Sequence, residues 1–363
     1  MASADELLQW YRRHRRPLPW RQSTDPYRVW VSEIMLQQTR VETVIPYFQR
    51  FLARFPTVAD LAAAEIDEVL THWSGLGYYR RARMMHAAAR QIAAEGFPAS
   101  HRGLMALPGI GDYTAAAIAS IAFGEPVPVL DGNVERVVCR YRAIAGDPKS
   151  TPVRARLREE ALALLVPEHP GDSNQALMEL GATLCLPQKP RCLLCPIGGE
   201  CRALAQGDVE KFPALRPRRQ PVRTRLAVAV VSDGERVLMF RRPDSSSLLA
   251  GTWELPWYEE VDGEGPAAIA SGLSRRYGGH WRLEAAKGLV RHGITHRAIE
   301  ATVYPAGLRH DEEVAEGVEA GWFTAQERER LPLSSLVGKV LDPSLSPARE
   351  RRPRRLRRAG TNR

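Results

Sequence analysis

The sequence predicts a mainly α-helical domain followed by a smaller α+β domain, and three observations carry this reading. From Asp5 to about Leu204, apolar residues recur at helical spacing with Gly or Pro between the segments, and strand-like alternation is nearly absent. The stretch 206–223 is rich in Pro and Arg and reads as a connector. Beyond it, Leu226-Ala-Val-Ala-Val-Val231 and Val237-Leu-Met-Phe240 look like strands. Asp233-Gly234 lies between them, a hairpin signal because both residues tolerate positive φ. The boundaries predicted are a helical domain over 1–205, a connector over 206–223, an α+β domain over 224–342 and a tail over 343–363. The tail lacks apolar periodicity and is expected to be disordered. A chain of 363 residues can bury two cores.

In the helical part, one helix start is readable: Thr24 or Asp25 as cap, Pro26 in the first turn. Tyr27, Trp30, Val31 and Ile34 then form an apolar stripe, with Glu33 at its edge beside Trp30. A carboxyl there is partly desolvated, which raises its pKa towards that of a proton donor. Next comes Leu107-Pro108-Gly109-Ile110-Gly111, a tight turn opening the helix Asp112 to Phe123. Backbone N–H groups at such a helix start bind an anion without any side chain. Asp131, in Val129-Leu-Asp-Gly-Asn-Val134, precedes a further helix and suits an N-cap that keeps its negative charge available. One protonated and one ionised carboxyl is the pairing that cleavage of a glycosidic bond needs.

Four of the five cysteines follow as Cys185-x6-Cys192-x2-Cys195-x5-Cys201. Such density without a secretory leader pattern argues for a metal or cluster site, either iron–sulfur or zinc. The wide first gap makes a loop with Lys189 and Arg191 at its tip, suited to touching a phosphate. Cys139, within a helical stretch, reads as a buried apolar residue. In the second domain a helix is expected near Pro266 to Tyr277 and a strand near Arg297 to Tyr304.

The net charge of +9 is concentrated. The segment 349–363 holds eight arginines against one glutamate, and further basic clusters lie at Arg12 to Arg21 and Lys211 to Arg225. That distribution suits a folded body with phosphate-binding patches and a basic tail that adds salt-sensitive DNA affinity. The longest apolar stretch, Ala115 to Phe123, is too short to span a bilayer, so a membrane protein is not expected. The expected setting is the cytoplasm; a bacterial, nucleoid-associated monomer is what the resemblance given below implies.

Together these pieces resemble the helix–hairpin–helix DNA glycosylases with a four-cysteine iron–sulfur module, and within them the MutY type of adenine DNA glycosylase. The resemblance rests on Val31-Ser-Glu-Ile-Met-Leu-Gln-Gln-Thr39, Gly75-Leu-Gly-Tyr-Tyr79, Leu107-Pro-Gly-Ile-Gly111, Leu130-Asp-Gly-Asn-Val134 and the cysteine spacing. It implies a [4Fe-4S] cluster on Cys185, Cys192, Cys195 and Cys201. It implies that Glu33 protonates adenine at N7 and that Asp131 stabilises an oxocarbenium-like sugar, with Tyr113 and Asn133 positioning the reacting groups. Gln38 and one of Tyr78 or Tyr79 would enter the stack where the base leaves, and the turn Leu107, Gly109, Gly111 would hold a phosphate. Tyr113 stands where related lyases carry a lysine, and a phenol forms no Schiff base, so a monofunctional glycosylase is expected.

The second domain resembles the Nudix-like domain of the same family, through Gly251-Thr-Trp-Glu-Leu-Pro256 and Ile294-Thr295-His296. Thr295 and His296 would contact 8-oxoguanine, although the family commonly has an aromatic where Ile294 stands. The helix Ile269-Ala-Ser-Gly-Leu-Ser-Arg-Arg-Tyr277 lacks the carboxylates that hold magnesium in Nudix hydrolases, so no pyrophosphatase activity is expected. The implied substrate is duplex DNA with adenine opposite 8-oxoguanine or guanine.

Overall fold

Helix propensity is written in local signals along the first part of the chain, and the computed structural model follows them. It describes residues 2–214, 220–246, 248–261, 264–294, 296–308, 314–342 and 344–345. Within the chain two units separate, Met1–Arg218 and Arg219–Arg363. Thr295, Arg216, Arg218, Arg219 and the arginine-rich tail from 346 onward lie outside the described residues.

The first unit is helical: α1 (Ala2–His14), α2 (Pro26–Leu36), α3 (Val41–Arg54), α4 (Val58–Ala63), α5 (Ile66–Trp73), α6 (Arg80–Glu95), α7 (His101–Leu104), α8 (Asp112–Phe123), α9 (Gly132–Arg142), α10 (Thr151–Leu162), α11 (Pro170–Thr183) and α12 (Arg202–Ala205). Asp25, not Thr24, caps α2: its side chain accepts from the Arg28 N–H, and Pro26 supplies the fixed φ of the first helical position. α2 packs on α8, and α1 and α9 pack on α11. Trp30, Phe51, Phe55 and Trp73 fill one part of the interior, with Phe51 edge-on to Trp73. A second cluster joins Leu7 and Tyr11 of α1 to Val138 of α9 and Leu177 of α11. Cys139 lies in it, fully buried, and burial pushes its thiol up to about 11.

The second unit carries β1 (Val222–Val230), β2 (Val237–Arg241), β3 (Trp253–Glu254), β4 (Trp257–Glu259), α13 (Pro266–Tyr277), β5 (Trp281–Leu283), β6 (Gly288–Ile294), β7 (Arg297–Leu308), β8 (Ala320–Phe323), α14 (Ala325–Arg328) and α15 (Ser335–Val340). β1 runs parallel to β7 from Val222↔Arg297 to Val230↔Pro305, and β4, β5 and β6 complete a five-stranded sheet. β3, β2 and β8 make a second sheet. Alternation along β1 explains the layers. Leu226 and Val228 face a cluster that includes Val337 and Val340 of α15, while Ala227 and Ala229 face Ile269 and Leu273 of α13.

The hairpin expected around Asp233-Gly234 is corrected. The turn itself forms: Gly234 has φ 102, and the Asp233 N–H donates to the Arg236 carbonyl at 3.1 Å. But β1 and β2 are not a strand pair. Among the described residues, the Ser232↔Val237 bridge and the Leu238 N–H to Val231 carbonyl bond join them, after which each strand enters a different sheet. The parallel ladder to β7 claims β1 instead.

Candidate active site

Three helices converge at Glu33. α2 places it in its last turn, α8 brings Tyr113 from its first turn, and Asp131 caps α9. The Tyr113 hydroxyl donates to Glu33 Oε2 at 2.6 Å and also lies 3.6 Å from Met178 Sδ of α11. Glu33 is more deeply buried than an edge position suggests, with 6% of its surface exposed. Burial pushes its carboxyl up to about 7; the Tyr113 hydrogen bond and the Arg21 charge oppose this, while the Asp131 charge adds to it. Burial and the neighbouring carboxyls in turn push the Tyr113 phenol well above its usual range.

Asp131 is held as an acceptor on both oxygens, from the Val134 N–H at 2.7 Å and from Asn133 Nδ2 at 2.9 Å. Burial raises its pKa above the ordinary carboxylate value, against the pull of these donors and of Arg136. Donors on both oxygens favour the ionised form. Asn133 is in turn fixed by Arg136, whose Nη2 donates to Asn133 Oδ1 at 2.9 Å and whose Nε donates to the Cys185 carbonyl at 2.7 Å.

The glycine turn joins α7 to α8. Gly109 has φ 75, and a Cβ there would stand 2.6 Å from Met84 Cβ, so only glycine fits. Gly111, the N-cap residue of α8, is exposed, has φ −91, and no side chain caps this helix end. Leu107 is half-buried, and its carbonyl accepts from the Ile110 N–H at 3.2 Å. Gln38 is exposed with φ 58, just past α2. The structure separates the two tyrosines: Tyr78 is 39% exposed with φ 49, whereas Tyr79 is 3% exposed and its hydroxyl donates to Ser74 Oγ at 3.4 Å.

All four cluster-type cysteines line one small cavity with Ile197 and Leu204. None is joined in a disulfide. Among the described residues no three His, Cys, Asp or Glu side chains are already drawn together as a metal-ligand set. Arg140, fully buried, donates to the Leu186 carbonyl at 2.6 Å and lies 3.4 Å from Cys185 Sγ. In the second unit His296 is exposed at the turn between β6 and β7, and its carbonyl accepts from the Val222 N–H at 2.8 Å. His292 is half-buried, and burial with the Lys339 charge lowers its pKa.

Sequence reasoning missed the cations around this site. Glu179 of α11 is fully buried and accepts from Arg16 and Arg21, each at 2.8 Å. Their charges hold its carboxyl down at about 2. The sequence signal was the basic run Arg12 to Arg21, which reads as a phosphate-binding patch, whereas Arg16 and Arg21 are turned to Glu179.

Comparison with known proteins adds a family. Residues 31–161 match the model of the HhH-GPD superfamily of base excision DNA repair proteins, and residues 227–343 match a NUDIX domain. The human adenine DNA glycosylase is 38% identical over 398 aligned positions, covering 92% of this chain and 72% of the human protein. The chain belongs to the adenine DNA glycosylase family. The mouse member is likewise 38% identical, covering 93% of this chain and 77% of its own length. Among solved structures, a thermostable thymine-DNA glycosylase superimposes with TM-score 0.51 and 27% identity over 56% of this chain and 95% of its own. The chain is therefore a DNA glycosylase of base excision repair that removes adenine. No described helix is long and apolar enough to cross a membrane.

Proposed function

We propose that the chain hydrolyses the N-glycosidic bond of adenine opposite 8-oxoguanine or guanine in duplex DNA, with Glu33 as general acid. The observation that carries this is the buried Glu33 carboxyl, raised to about 7 and oriented by the Tyr113 hydroxyl. At neutral pH such a group holds a proton it can give up. It passes that proton to N7 as the C1′–N9 bond breaks and the electron pair leaves with the base. Asp131, held by Asn133 and the Val134 N–H, stabilises the positive sugar that remains. Water then adds at C1′ and releases a proton. Tyr113 offers no amine, so the product is an abasic site without strand cleavage.

Around this centre Gln38 and Tyr78 fill the gap left by the base; Tyr79, buried and hydrogen-bonded, belongs to the support of that turn. The Leu107–Gly111 turn and the uncapped start of α8 hold a phosphate. Cys185, Cys192, Cys195 and Cys201 hold a [4Fe-4S] cluster; four thiols on one cavity match its donor set. With a cluster bound, Cys185 and Cys192 would fasten the loop between them, which carries Lys189 and Arg191. His296, exposed at the turn before β7, reads the 8-oxoguanine together with Thr295, its neighbour in the sequence.

Single-turnover adenine release from duplexes with A:8-oxoguanine, A:G and A:T pairs tests the reading. We expect the rates to fall in that order, with no borohydride-trapped enzyme–DNA adduct. Equal rates on A:8-oxoguanine and A:T, or efficient trapping, would sink it. The purified protein is expected to be brown; a colourless protein containing zinc refutes the cluster.

A further inference from the structure

Between the helix of Glu33 and the turn of Tyr78 lies the guanidinium of Arg81, in the first turn of α6. Its Nη1 donates to the carbonyls of Ile34 at 2.7 Å, Met35 at 3.1 Å and Gln37 at 2.6 Å. Its Nη2 reaches the carbonyls of Leu76 and Gly77, both at 3.3 Å, and Thr39 Oγ1 at 3.5 Å. Ile34 and Met35 lie in the last turn of α2, where carbonyls have no partner within the helix. One planar cation thus satisfies the end of α2 and releases the chain into the left-handed turn at Gln38.

On its other side the same group fastens the turn in which Gly75, Gly77 and Tyr78 all have positive φ. Gly75 is itself fixed there, since a Cβ would strike the Tyr47 hydroxyl, which donates to the Ser74 carbonyl at 2.9 Å. The guanidinium also stands 5.3 Å from the ring centres of both Trp73 and Tyr78. Gln38 and Tyr78 are therefore two exposed, left-handed residues from distant parts of the chain that share a single clamp.

We propose that Arg81 is the positioning residue that binds Gln38 and Tyr78 into one wedge, set at a fixed place relative to Glu33, so that both side chains enter the DNA stack together. The inference rests on reading Gln38 and Tyr78 as the residues that fill the gap left by adenine. Arginine is required because a rigid fork reaches two loops at once; a lysine ammonium is a point donor on a flexible stem. Burial lowers the Arg81 pKa to about 10, which leaves it charged at neutral pH. The effect falls on base extrusion and leaves the ionisation of Glu33 as it is.

The test follows extrusion by stopped-flow fluorescence of 2-aminopurine placed beside the target adenine, together with single-turnover adenine release at several pH values. The proteins are the full chain with its cofactor, as wild type, Arg81→Met, Arg81→Lys, Gln38→Ala, Tyr78→Ala and the Arg81→Met/Tyr78→Ala double variant. Arg81→Met is expected to slow the fluorescence rise by about tenfold, and the double variant to lose clearly less than the product of the two single losses, because Arg81 acts through the wedge of which Tyr78 is one half. Arg81→Lys should melt close to wild type yet recover little of the extrusion rate, and the pH midpoint of adenine release should stay in place. Additive losses in the double variant, or normal extrusion in a folded Arg81→Lys, would overturn the clamp. Normal extrusion in both Gln38→Ala and Tyr78→Ala would overturn the wedge reading instead.

Discussion

Glu33 and Glu179 are the same side chain, both buried in the helical unit, and burial pushes the pKa of both upward. Glu33 nonetheless reaches about 7 while Glu179 is held at about 2. The partners make the difference. Glu179 accepts from two guanidinium groups and from the Arg16 N–H at 3.2 Å. Glu33 accepts one bond from a neutral phenol and faces the negative charge of Asp131. Burial sets what the charge of a carboxyl costs, and the neighbours decide whether that cost is met. A site that needs an acid and a rigid anchor obtains both from one residue type by placing arginines beside only one of them.

The sharpest way to break the contrast is Glu33→Gln, which keeps the shape and removes the transferable proton. Adenine release in single turnover should fall by about 10²–10⁴-fold. The pH dependence follows from the raised pKa. An unfolded glutamate titrates near 4.5 and the folded one near 7, so the stability contributed by the neutral form is complete below 4.5 and lost as pH rises through about 7. Glu33→Gln should thus melt higher than wild type at pH 8, by on the order of 2–3 kcal/mol, with the gain gone at pH 4.5. Wild-type release should decline over the same rise through about 7, and a rate still climbing at pH 8.5 would refute the acid role.

Glu179→Gln attacks the other half of the contrast. It strands two guanidinium groups, one of them 10% exposed, and should cost about 3 kcal/mol in denaturant unfolding. The Arg21 charge, no longer neutralised, then pulls Glu33 down, so the pH midpoint for adenine release should move to lower pH. Tyr113→Phe gives the smallest effect. It removes the hydrogen bond that favours ionised Glu33, so the midpoint should move to higher pH while release at pH 6 stays within about threefold of wild type. A midpoint that moves down in Tyr113→Phe would show that the phenol does not stabilise the carboxylate.

What the sequence revealed and what it hid divide along separation in the chain. The Asp25 and Asp131 caps bond a backbone N–H three residues away, so a local pattern was enough to place Asp131 and to narrow the other cap to Thr24 or Asp25. Gly109 announced its turn for the same reason. The Arg16–Glu179 pair joins residues 163 apart, and no periodicity reports that. Tyr78 and Tyr79 were indistinguishable until the turn fixed which ring points outward. The β1–β2 hairpin misled because the turn signal is local, whereas the competing parallel ladder to β7 comes from more than sixty residues away. Strands of two to four residues such as β3, β4, β5 and β8 are too short to show alternation.

The closure of α1 onto α11 makes an early part of the chain depend on a late one for its folding. Tyr11 donates to Gln175 at 3.0 Å, and Arg16 and Arg21 both pair with Glu179. Met178 of the same helix lies against Tyr113. A nascent chain in which α11 has not yet folded lacks both the anchor and one wall of the Glu33 site. A fragment that ends before Pro170 is therefore expected to leave Arg16 and Arg21 without Glu179 and the Glu33 site open on the side that Met178 covers.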